Sequence, residues 1–105
     1  PYVRFDGEVY ARNSILRTEH VQLLVMCWSS GQLSPIHDHA GSACGIRVLS
    51  GRATEIVYSQ APCGLLAPQK SSHLEAGEIS VSFDRDIHQM GNLEARGTDL
   101  VTLHC

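Results

Sequence analysis

The spacing of its chain breakers limits this sequence more than any other feature. No window of eleven or more residues keeps a helical 3.6-residue period, so no amphipathic helix is indicated. Short apolar runs recur instead, each ended by Gly, Pro or Ser, with turns roughly every eight to twelve residues. Residues 21–28 (VQLLVMCW) read as a buried strand stopped by SSGQ. Residues 45–49 and 53–58 (ATEIVY) read as two strands around a tight turn at SGR. Gly77 opens residues 79–83 (ISVSF), which alternate with period two, and residues 100–104 (LVTLH) form another strand. Pro35, Pro62 and Pro68 fall between these runs, where a residue without an N–H belongs. The pattern predicts an all-β sandwich or barrel.

At 105 residues the chain is long enough for one domain and too short for two. Hydrophobic residues make up 43% and charged residues 18%, a globular balance rather than a disordered one. A net charge of −3 offers no basic field, so neither nucleic acid nor an anionic membrane is expected as a partner. The longest apolar run, residues 21–28, falls far short of the ~20 residues of a membrane span. The N-terminus carries no signal-peptide pattern, and a cytoplasmic protein is the expectation. The cysteines, Cys27, Cys44, Cys63 and Cys105, lack CxxC spacing. Free thiols are expected: Cys27 in the core, and Cys63 in a loop without a role. His20 and His73 are expected to be exposed, and Arg4, Arg17, Arg52 and Arg96 to be ordinary surface residues.

One stretch carries chemistry: SPIHDHAGSAC, residues 34–44. On a strand, His37 and His39 would point to one face and Asp38 to the other. Two imidazoles turned into a small barrel need partners. A divalent metal would satisfy both; so would ordinary hydrogen bonds at a wet strand end, and the pair alone leaves both open.

The spacing around the pair adds to this. Gly31, five residues, His37-x-His39, four residues, Cys44, six residues and Gly51 form one series. Gly77, ten residues, His88, three residues and Asn92 form a second. Together they resemble the two signature motifs of the cupin superfamily. Cys44 stands where most cupins carry a metal-binding glutamate, and Phe83-Asp84-Arg85 where Pro-x-Gly is usual. Within that superfamily, CWSSGQLSPIHDHAGSAC resembles the cysteine dioxygenase family, as do YARN (residues 10–13), HQMGN (88–92) and TLHC (102–105). These motifs run in order from Tyr10 to the last residue.

The resemblance implies a cupin double-stranded β-helix, a jelly-roll-like small barrel, over residues 1–105 as a single domain. It also implies a longer parent chain with an N-terminal helical part and further C-terminal strands. His37, His39 and His88 would form a facial triad on Fe(II). Arg12 would pair with a substrate carboxylate through its planar fork, and Tyr10 would line the same pocket. Cys44 would match the cysteine that some members link to a tyrosine. His104 would match a histidine bonded to that tyrosine, expected two positions after His104, with Thr102 where a serine is usual. The implied reaction joins dioxygen to the sulfur of L-cysteine, giving cysteine sulfinic acid.

Two other readings share the histidines. One is a dioxygenase for another small thiol such as 3-mercaptopropionate, a subfamily that tends to lack the cysteine and arginine found here at positions 44 and 12. The other is a cupin that binds a metal or ligand without turnover. Only turnover needs a substrate clamp and open metal positions together. Asp38 is expected to face away from the site, and Trp28 to be core or to wall the pocket.

Overall fold

The computed structural model describes residues 3–37, 43–82 and 86–105. Strands β1 (Ala11–Arg17), β2 (Gln22–Trp28), β3 (Cys44–Ser50), β4 (Arg52–Gln60), β5 (Leu66–Glu75), β6 (Ile79–Ser82), β7 (Ile87–Gly91) and β8 (Leu100–His104) follow one another along the chain. They form two sheets, ordered β1-β2-β8-β3-β6 and β5-β4-β7, with antiparallel pairing throughout. The all-β expectation holds, and no helix among the described residues is long and apolar enough to cross a membrane.

Strand β2 is apolar on both faces because both are covered. Leu24, Met26 and Trp28 face the interior with Ile46, Val48, Ala53, Met90 and Leu100. Val25 and Cys27 pack on the other face with Val101. Fully burying side chains such as Met90, Leu100 or Val48 contributes about 1.5–3 kcal/mol each. The β3–β4 turn falls at the expected SGR. Gly51 holds φ +85 there, and a Cβ would strike the backbone of Asp99.

Three strands escaped the sequence pattern: β1, β5 and β7. Pro68 was expected between strands but lies inside β5. Two features admit it: β5 is a sheet edge, and its register with β4 slips beside Pro68, between Val57 and Tyr58. Arg52 is also corrected. It is half-buried and lies 3.1 Å from Glu75 and 3.5 Å from Glu94. All four cysteines are free thiols; Cys27 is fully buried and Cys63 sits in an exposed turn.

Strand β7 has neighbours on both edges. β4 pairs with one edge, Val57 opposite His88 and Glu55 opposite Met90. The segment leading to the HDH stretch pairs with the other, through bridges Leu33↔Gly91 and His37↔His88. Asn92, fully buried, locks the end of this arrangement by donating to the carbonyls of Trp28 (3.0 Å) and Thr98 (2.7 Å). The motif asparagine is therefore a clamp for the loops rather than part of the chemistry.

Candidate metal centre and its cavity

His37 does not sit in a strand, as the sequence had it, but at an isolated bridge. Its backbone exchanges both hydrogen bonds with His88, at 3.0 and 2.9 Å. Directly opposed residues hold their side chains on one side of the ladder. The two rings therefore meet, with centroids 4.7 Å apart and planes at 65°. His88 is buried, 2% exposed, which a sequence view of the isolated residue would not have placed there. His39 and Asp38 lie outside the described residues.

The hydrogen-bond partners fix which nitrogens carry protons. His37 Nδ1 lies 2.7 Å from the Pro35 carbonyl, which can only accept, so Nδ1 is the donor. His88 Nδ1 donates to Glu55 Oε2 at 3.2 Å. That bond holds the Glu55 carboxyl below the usual carboxylate range, against the opposing effect of burial. The two Nε2 atoms then face each other, 3.2 Å apart, each with a lone pair of the kind that binds a metal ion. Two ligand nitrogens about 2.1 Å from one metal stand about 3.0 Å apart at a right angle and about 3.4 Å apart at a tetrahedral angle. The observed separation fits between these. Among the described residues no three His, Cys, Asp or Glu side chains converge on one point, so His37 and His88 are the described pair suited to a metal.

One cavity of ≈ 800 Å³ lies over this pair. Tyr10, Arg12, Cys44 and His104 line it along with His37 and His88. Arg12 is exposed at its mouth on β1. It stands opposite Met26 and so projects toward the inner side of the sheet. Tyr10 stacks on Trp28, centroids 4.5 Å apart and planes at 23°. Trp28 fills both roles foreseen for it, 1% exposed in the core and forming part of the cavity wall. Cys44 opens β3 half-buried, and burial pushes its thiol pKa up, with Cys105 and Glu55 adding to the effect. The raised pKa favours a neutral thiol over a thiolate in the cavity wall.

His104 stands in a short chain of bonds. Trp28 Nε1 donates to Thr102 Oγ1 at 3.0 Å, and Thr102 Oγ1 lies 2.7 Å from His104 Nε2. An indole N–H only donates, so Thr102 Oγ1 accepts from Trp28; the hydroxyl keeps one proton to give and one lone pair to receive, and so bonds either tautomer of His104. His20 and His73 are exposed as expected, although His20 borders the cavity.

Sequence reasoning missed Glu55. It is 8% exposed and shares the inward face of β4 with Ala53 and Val57. The available signal was a charged residue within the run ATEIVY.

The family model for cysteine dioxygenase type I matches residues 1–105. Cysteine dioxygenase type 1 of Danio rerio is 33% identical over 108 residues, covering 98% of this chain and 53% of that protein. Cysteine dioxygenase type 1 of Homo sapiens is 34% identical over 59 residues, 55% of this chain and 30% of that protein. The chain thus spans about half the length of the Danio rerio relative. A Klebsiella pneumoniae protein with a double-stranded β-helix domain is similar in structure, with TM-score 0.76 at 23% identity, over 98% of this chain and 75% of that one. An RmlC-like cupin from Methanocaldococcus jannaschii gives 0.71 at 16% identity, over 96% and 84%. The fold is a cupin double-stranded β-helix.

Proposed function

Because this chain belongs to the cysteine dioxygenase type I family, we propose that it is a thiol dioxygenase, with His37, His39 and His88 holding Fe(II) and L-cysteine as the substrate. The observation that carries this reading is the facing pair of Nε2 atoms, 3.2 Å apart, in the wall of a cavity of ≈ 800 Å³. Ferrous iron would supply open coordination positions and electrons for dioxygen, which zinc would not.

The remaining work falls to the chain's own side chains. Neutral imidazoles leave the charge of the metal uncompensated, so the site favours an anionic substrate sulfur. The raised pKa of Cys44 fits this, since a thiolate there would compete with that of the substrate. At the cavity mouth the Arg12 fork would hold the substrate carboxylate and so set its orientation. Tyr10, braced flat against Trp28, would form a rigid wall of the same pocket. His104, held by Thr102 Oγ1 at 2.7 Å, would line the same pocket.

The test is oxygen uptake by protein loaded with ferrous iron. L-cysteine should drive dioxygen consumption and yield cysteine sulfinic acid containing both oxygen atoms. Iron-loaded protein that consumes no dioxygen with L-cysteine would overturn the reading in favour of a cupin that binds metal without turnover. Faster uptake with 3-mercaptopropionate would reassign the substrate.

A further inference from the structure

Glu55 is a buried ionisable group that the proposed chemistry does not use. It projects inward from β4 opposite Met90, one inward position along from the Val57↔His88 pair. Ser80 Oγ donates to its two carboxylate oxygens at 3.2 and 3.4 Å. Its Oε2 accepts from His88 Nδ1, and Ser82 Oγ lies 3.5 Å from the same nitrogen. A buried carboxylate is expensive unless it is fully partnered. The apolar neighbours Ala53 and Met90 do not call for one here.

We propose that Glu55 is a positioning residue of the metal centre: it holds His88 as the Nδ1–H tautomer, aims the bare Nε2 at His37 and passes negative charge to the metal through the ring. The proposal rests on His37 and His88 being metal ligands. A neutral imidazole otherwise divides itself between two tautomers. The one with its proton on Nε2 would point an N–H at the metal seat and block it. A carboxylate on the Nδ1 side disfavours that form and makes Nε2 a stronger donor to metal. Ser80 fixes the carboxylate in turn, so a chain of Ser80, Glu55 and His88 runs inward to the site. All the direct ligands proposed are neutral imidazoles, which leaves Glu55 as the fixed negative charge bonded to a ligand ring.

The first readout needs no metal. Long-range ¹H–¹⁵N correlation of the His88 ring in the metal-free protein, at a pH where both rings are neutral, reports its tautomer directly. Wild type should show a protonated Nδ1. Glu55→Ala should shift the population toward a protonated Nε2, and Glu55→Gln, whose carbonyl still accepts, should restore the wild-type pattern. The second readout is titration with ferrous or nickel ion. Affinity should fall about 10- to 100-fold in Glu55→Ala and less in Glu55→Gln. Circular dichroism checks the fold. If Glu55→Ala does not fold, Ser80→Ala should move both readouts the same way by a smaller amount. A wild-type His88 protonated on Nε2 overturns the proposal. So does a folded Glu55→Ala that keeps both the tautomer and the affinity. Wild-type protein that shows the expected tautomer but takes up no metal overturns the metal reading and this role for Glu55 with it. The tautomer result shows which of the two failed.

Discussion

Arg12→Ala separates recognition of the substrate from the metal chemistry. Arg12 projects to the inner side of β1 and lines the same cavity as His37 and His88. A bidentate guanidinium–carboxylate pair makes two charge-assisted hydrogen bonds, worth roughly 1.5–3 kcal/mol each when shielded from water. Arg12 is exposed at the mouth, so screening reduces this, and about 1.5–3 kcal/mol for the whole pair is the sensible range. With 1.36 kcal/mol per factor of ten, kcat/KM for L-cysteine should fall about 10- to 150-fold. The contact is the same in the bound and reacting states, so the loss should appear mainly in KM. Cysteamine, which has no carboxylate, should be turned over almost as before. Arg12→Lys should recover part of the loss, because it restores the charge without the fork. The assay is oxygen uptake against substrate concentration for both thiols. Equal losses for cysteine and cysteamine would remove Arg12 from substrate recognition.

Three further outcomes follow from the geometry. Thr102→Val keeps the volume but leaves the buried Trp28 N–H without its acceptor, at a cost of about 1–3 kcal/mol; thermal unfolding should show Tm lower by about 4–8 °C per kcal/mol, and an unchanged Tm would mean that the bond contributes nothing. Gly91→Ala drives a Cβ into the Gln32 carbonyl oxygen and the Leu33 side chain, so it should cost at least about 2 kcal/mol by denaturant titration. Gly45→Ala meets nothing within 4 Å and should be close to neutral; similar losses in both would refute the close approach. Because burial raises the Cys44 pKa, its thiolate forms only at higher pH than that of an ordinary thiol. Mass-mapped alkylation near neutral pH should therefore label exposed Cys63 first, with Cys44 catching up as pH rises; prompt labelling of Cys44 would contradict its burial.

The strands that could be read from sequence are those whose environment repeats along the chain. β2, β3, β4 and β8 present apolar residues to a core and end at turn residues, so pattern and structure agree within a residue or two. β6 alternates with period two as read, but it turns Ser80 and Ser82 inward and leaves Ile79 and Val81 exposed. β1 and β5 are sheet edges and mostly exposed, so their sequences, ARNSILR and LAPQKSSHLE, carry little alternation. β7 has five residues, too few for a period to stand out. The site divides along similar lines. The HxH pair is a local pattern and could be seen directly. His88 is distant in sequence and came only through the motif spacing. Glu55 lies eighteen positions beyond His37 and meets His88 through pairing between strands. No short-range pattern encodes that contact, since β4 is buried at three successive positions and its inward face cannot be told from its outward one.

Whether His37 and His88 hold a metal is decided by metal analysis of the purified protein together with X-ray absorption at the metal edge. The expected result is one ferrous ion per chain, held by imidazole nitrogens at about 2.0–2.2 Å, and loss of that ion in His37→Ala and in His88→Ala. If both variants keep stoichiometric iron with an unchanged spectrum, the lone pairs of His37 and His88 do not hold the metal and the proposed chemistry has no centre.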